Sequence, residues 1–152
     1  MKVFGQVSAM ALTLAGLSLM ASHSTAEASQ PSALATVEGD GYSIVVTDGS
    51  GKVGQETQVT VTIRAKEGYK VNDKYPFKLK LADAPSGIEL PKPVLKKGDG
   101  SFDGKNAFTF KVPVKATRAG SFDVKGNLKF SVCNDQSCLI EKKDVKAKVT
   151  AK

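Results

Sequence analysis

The sequence predicts an all-β protein, an immunoglobulin-like antiparallel β-sandwich, and three observations predict it. Apolar and polar side chains alternate in run after run. Clusters of turn-forming residues separate those runs. After the first 26 residues no window keeps a helical period. Strict alternation puts one face of a strand in a core and the other in water, the habit of antiparallel sheets.

The chain opens with Lys2, its only charge before Glu27, followed by an apolar stretch from Ala9 to Ala21 and small residues at Ser24 and Ala26. A basic start, a short apolar core and an A-x-A-like end describe a cleaved signal peptide over residues 1–26. The apolar stretch is short against the ~20 residues needed to span a bilayer. Export to the periplasm, with no membrane span after cleavage, is therefore the expectation. Residues 27–41 are polar and small, and are expected to form a flexible N-terminal arm.

Residues 42–152 carry the strands. Tyr42–Thr47 is rich in β-branched residues, which favour strands. Val59, Val61 and Ile63 alternate with Thr60, Thr62 and Arg64, and Phe77, Leu79 and Leu81 alternate with Lys78 and Lys80. Phe108, Phe110, Val112 and Val114 share one face of the next run. Pro113 inside that run predicts an edge or a bulge, because proline cannot donate to a ladder. Phe122, Val124, Leu128, Phe130 and Val132 share a face of another strand, and Val145, Ala147 and Val149 close the chain. Asp48-Gly49-Ser50-Gly51, Glu67-Gly68, Asp83–Gly87, Gly98-Asp99-Gly100 and Ala119-Gly120 punctuate the runs. The segment from Glu89 to Gly104 is the least regular. Six to eight short strands of this kind suit a sandwich.

Composition removes several chemistries. The only histidine is His23 and the methionines are Met1, Met10 and Met20, so the predicted mature chain has no His, Met or Trp. That excludes a His-dependent nucleophilic triad and His-based metal sites. Asp40, Asp48, Asp73, Asp99 and Asp103 are scattered over turns, where aspartate is a common turn former, rather than paired as a hydrolase needs. No cofactor and no metal is expected. The net charge of +7 invites a nucleic-acid reading. The lysines alternate with core residues instead of clustering, so no nucleic-acid partner is expected and a solvated sheet face accounts for them.

One chemistry remains. Cys133 and Cys138 are the only cysteines, in Cys133-Asn134-Asp135-Gln136-Ser137-Cys138. An even count in an oxidising compartment makes a disulfide the default. Asn134 and Asp135 are turn formers, so the pair joins the end of one strand to the start of the next. Closing a loop this short removes only ~2 kcal/mol of unfolded-state entropy, which is little for a staple. Val132 is on the inward face, so Cys133 should point outward. Two readings stay open: an exchangeable redox disulfide, and a structural clip in a non-catalytic β-sandwich binding or assembly module.

The run from Gly68 to Val149 resembles the N-terminal periplasmic domain of the thiol:disulfide interchange protein DsbD. Gly68-Tyr69, Val112-Pro113-Val114 and the aromatic strand ending in Cys133–Cys138-Leu139 carry the resemblance. It implies an immunoglobulin-like domain whose two cysteines, Cys133 and Cys138, relay reducing equivalents to or from thioredoxin-like periplasmic partners, drawing on a separate membrane reductase. Tyr69 falls where that family has an aromatic near the site, and Phe102 where a cap-loop aromatic shields the disulfide. Leu139-Ile140-Glu141 stands where the family commonly has prolines. On electrostatic grounds Asp135 would raise a neighbouring thiol's pKa, and Lys129 or Lys142 would lower it.

Overall fold

A computed structural model describes residues 34–152. The predicted signal peptide and the first part of the predicted arm lie outside the described residues. Twelve strands follow in order: β1 (Leu34–Glu38), β2 (Tyr42–Thr47), β3 (Gly49–Gly51), β4 (Glu56–Ala65), β5 (Lys70–Val71), β6 (Lys78–Leu81), β7 (Ile88–Glu89), β8 (Val94–Lys96), β9 (Gly100–Asp103), β10 (Ala107–Ala116), β11 (Gly120–Cys133) and β12 (Cys138–Ala151). One 3-10 turn, Lys97–Asp99, is the only helical element among the described residues. The first sheet runs β1-β2-β4-β10-β7, with β9 also on β10. The second runs β3-β12-β11-β6-β8, with β5 also on β11.

The alternation read from the sequence becomes the sandwich. Val59, Val61, Ile63, Phe108, Phe110, Val112 and Val114 point inward from the first sheet; Leu79, Leu128, Phe130, Val132 and Val149 meet them from the second. Phe108 sits at the centre of an aromatic cluster, with ring centroids 4.6 Å from Phe77, 4.6 Å from Phe102 and 4.8 Å from Phe110. Phe102 and Phe110 meet it edge to face, which adds to the burial. The two outer faces differ in chemistry. The first presents hydroxyls, among them Thr62 and Thr109 joined at 2.9 Å. The second presents lysines at alternate positions of β6, β11 and β12.

Four details depart from or sharpen the expectation. Leu34–Glu38, within the segment expected as an arm, pairs along β2 from Leu34 opposite Thr47 to Glu38 opposite Ser43. Its side chains are mostly exposed, so backbone pairing rather than burial holds it. β3 pairs with β12 in parallel, which makes the second sheet mixed rather than purely antiparallel. The chain crosses from one sheet to the other there, stitched by Lys148 N–H donating to Asp48 Oδ1 at 2.7 Å. The irregular segment resolves into β8, the 3-10 turn and β9, with Asp99 Oδ2 accepting from Lys96 N–H at 2.8 Å. Pro113 lies opposite Gln58 of β4. On its other side β9 covers Ala107–Phe110 and β7 covers Lys115 and Ala116, so Pro113 occupies a local edge where no donor is needed.

Because Phe108 touches both the core and β9, Phe108→Ala should lower unfolding stability by about 3–5 kcal/mol. A urea titration checks it. A loss under ~1 kcal/mol would remove the ring from the centre of the core.

Candidate functional site: the disulfide hairpin

β11 and β12 form a hairpin whose register ends with Cys133 opposite Cys138. The connecting loop is built by Asn134. Its N–H donates to the Ser137 carbonyl at 2.9 Å, while its side-chain Oδ1 accepts from Gln136 N–H at 2.9 Å and Ser137 N–H at 2.7 Å. An asparagine side chain closing its own turn in this way is what makes the residue a turn former. Hydrogen bonding at Asn134 and Ser137 makes the next pair outward, Cys133 and Cys138, a non-hydrogen-bonded pair. Side chains approach most closely at such positions. The Cα atoms are 4.0 Å apart and the two sulfurs are bonded.

The pleat sends the sulfurs out. Val132 is fully buried, Cys133 is half-buried and Cys138 is exposed. The disulfide therefore lies on the outer face of the second sheet. Its neighbours come from β5, on the other side of β11, where Lys70 is the direct cross-strand partner of Cys133. Gly68, with φ of 80°, makes the left-handed turn after β4 that delivers β5, and Tyr69 N–H donates to the Lys66 carbonyl at 3.0 Å. One pleat further from the tip, Ser131 faces outward yet is fully buried. Asn72 covers it, donating N–H to the Ser131 carbonyl at 2.9 Å and Nδ2–H to Ser131 Oγ at 3.4 Å. Across β12 from Ser131 stands Ile140, 63% exposed although it is a large apolar residue.

The other expected site residues take different places. Tyr69 adjoins Lys70 and is half-buried against the core. Its ring lies over Gly41, where a Cβ would come within 2.6 Å of the ring, so only glycine allows this approach. Phe102 packs on Phe77 (5.8 Å) and Phe108 (4.6 Å) from the first sheet, with the Lys97 ammonium 6.0 Å from its ring centroid. The β9–β10 turn beyond it reaches the disulfide end of the sandwich, where the Lys105 carbonyl accepts from Val71 N–H at 2.8 Å. Asp135 is exposed at the loop apex. Lys129 and Lys142 pair with each other across the hairpin. They stand four residues from the cysteines, or about 14 Å along the strands. Lys70 is the nearer cation, and together with Ile140 it was not singled out from sequence. The only sequence signal for Lys70 is its place directly after Gly68-Tyr69. Among the described residues no group of His, Cys, Asp and Glu gathers as a metal site, and no helix is long and apolar enough to cross a membrane.

On the core side of the same hairpin, Tyr42 packs edge-to-face on Phe130 at 4.8 Å. Burial pushes the Tyr42 hydroxyl up from its usual pKa, with the Lys143 ammonium opposing and Glu141 reinforcing. Lys143 is itself held up by Tyr42 and by Glu141 beside it. Both groups bind their protons more tightly folded than unfolded. Their contribution to stability is thus complete below pH ~10 and is lost as pH rises above it. A urea midpoint followed across pH ~8 to ~11 should fall at the alkaline end, and less steeply in Tyr42→Phe. Superimposable profiles for the two proteins would sink this assignment.

The family model described as thiol:disulfide interchange protein DsbD, N-terminal, matches residues 46–150. No curated protein matches the chain. Two solved structures are similar at low identity. One is AggA, the major subunit of aggregative adherence fimbriae type I from Escherichia coli. It is 12% identical with a TM-score of 0.42, over 76% of this chain and 98% of that one. The other is the GAE domain of GGA2p from Saccharomyces cerevisiae, 11% identical with a TM-score of 0.42, over 75% of this chain and 96% of that one. The matched stretch takes in the strands of both sheets from the end of β2 onward and includes the disulfide hairpin. The chain belongs to the family of the N-terminal domain of the thiol:disulfide interchange protein DsbD.

Proposed function

We propose that this protein is an exported, periplasmic thiol–disulfide exchange protein that relays reducing equivalents through Cys133 and Cys138. Its partners are thioredoxin-like proteins, and its electrons come from a separate membrane reductase. The observation that carries this reading is a disulfide on the outer face of a hairpin tip, in a chain of an interchange family.

The exposure difference between the sulfurs supports an order of events. A partner thiolate attacks Cys138 Sγ, the exposed sulfur. The Cys133–Cys138 bond breaks as the mixed disulfide forms, and Cys133 leaves as a thiolate. The partner's second thiolate then attacks the partner sulfur of the mixed disulfide and releases Cys138. Two electrons have moved to this protein, the two thiolates take up two protons, and the partner is left as a disulfide. In the reverse direction Cys138 is the attacking thiol. The ammonium of Lys70, directly across from Cys133, favours the thiolate that leaves there.

Tyr69 and Phe102 are proposed as aromatics bordering the site. Tyr69 holds the base of β5, and Phe102 holds β9 and the turn that reaches it. Asp135, at the exposed apex, is proposed as a neighbour that a docked partner meets first.

Two measurements test the function. The reduction potential should lie above about −250 mV, in the range of exchange proteins, whereas a structural clip should lie below about −300 mV. Cys133→Ser, which leaves Cys138 free, should accumulate mixed disulfides with thioredoxin-like proteins of the cell envelope. A potential below the structural limit, with no adduct from either single cysteine variant, would leave the non-catalytic sandwich module in its place. The double variant Cys133→Ser/Cys138→Ser should still fold and lose only ~2 kcal/mol, the entropy of so short a loop. Thermal or urea unfolding measures that, and a chain unable to fold without the bond would make it a structural staple.

A further inference from the structure

The outer face that carries the disulfide also carries a row of lysines assembled from four strands. Lys96 of β8 is opposite Lys78 of β6, Lys78 is opposite Lys129 of β11, and Lys129 is opposite Lys142 of β12. All four are exposed. Directly opposed residues in a sheet hold their side chains on one face, and like charges so placed destabilise it. Among the described residues none of these four forms an ion pair. Asp99, beside Lys96, is already engaged by the Lys92 ammonium and by the Lys96 N–H, and Asp144, two residues along β12 from Lys142, accepts from Asn127 Nδ2–H at 2.7 Å. Lys129 and Lys97 lie instead over aromatic rings, Tyr75 at 5.8 Å and Phe102 at 6.0 Å. A pocket of about 340 Å³ opens in the row, lined by Lys78, Lys96, Lys97 and Lys129 over Pro76 and Phe77, with no acidic residue among its lining side chains.

This row lies about 14 Å from the disulfide along β11 and spans about 14 Å across the strands. Exposed Ile140 stands between the two on β12. An interface of ordinary size, about 800 Å² on each side, covers both. We propose that the row and its pocket are the electrostatic half of the docking surface for a thioredoxin-like partner whose surface beside its reactive cysteine is acidic. A carboxylate of that partner enters the pocket while Ile140 meets its apolar rim. The inference rests on the proposed exchange function and specifies the partner's surface. Charges arranged in this way act mainly on the rate of encounter.

The test follows disulfide exchange between the oxidised protein and a reduced thioredoxin with carboxylates on its active-site face, alongside the same thioredoxin with those carboxylates changed to lysine. Reduction by dithiothreitol, a small thiol with no protein surface to dock, runs in parallel. With the acidic thioredoxin the second-order rate should fall at least tenfold from about 10 mM to about 1 M salt, as the Debye length shrinks from ~30 to ~3 Å. The triple variant Lys78→Gln/Lys129→Gln/Lys142→Gln should lose a similar factor at low salt, and the charge-reversed thioredoxin should be slow throughout. Dithiothreitol rates should change by less than about twofold, which also shows that the variant is folded around its disulfide. Exchange with both thioredoxins at one salt-independent rate would overturn the inference and leave the exchange function standing. No exchange with either thioredoxin, despite reduction by dithiothreitol, would overturn both. Salt-sensitive binding to vesicles of anionic phospholipid, lost in the triple variant while exchange rates stay unchanged, would overturn it in favour of a membrane surface.

Discussion

Fourteen residues of β11 pair without interruption with fourteen of β12, from Gly120 opposite Ala151 to Cys133 opposite Cys138. A one-residue slip in that ladder would turn every side chain of one strand to the opposite face. Phe130 and Val132 would then leave the core, so their burial holds the register, and the register holds the sulfurs outward. Position and accessibility of the cysteine pair thus derive from hydrophobic packing in the middle of the sandwich. Lys70, Ile140 and the lysine row take their places from the same ladder, because each is defined by what stands across from it.

The covalent bond contributes little to this arrangement. It closes a loop of a few residues at the end of a hairpin already held by its ladder and by burial of aromatics on both sheets. Phe108, Phe110 and Phe130 are held by packing that the bond takes no part in. A bond whose opening would leave that packing in place suits the proposed exchange.

Much of this was legible in the chain. The alternating runs gave the inward faces correctly, and Pro113 marked a local edge. Val132, facing in, implied Cys133 facing out. What the sequence did not disclose were relations set by distant pairing. β1 lies in a segment whose polar composition reads as an arm, because pairing to β2 rather than burial orders it. β3 is three residues of glycine and serine, with no pattern to announce a parallel strand. Lys129 and Lys142 are four residues from the cysteines in sequence, but extended strands put them about 14 Å away, whereas Lys70, more than sixty positions upstream, is adjacent. The lysine row is invisible along the chain because its members come from four separate strands.

The turn closed by Asn134 has one further consequence. Its three hydrogen bonds do not involve sulfur, so they persist when the bond is reduced. The two thiols then remain face to face on a preformed scaffold, at an effective molarity far above that of any free thiol in solution. In the proposed exchange, ring closure then outruns competing chemistry, and a chain bearing both cysteines passes through its covalent intermediate too quickly to accumulate it. A short polar side chain with no redox chemistry of its own would thereby govern the lifetime of the mixed disulfide in that exchange.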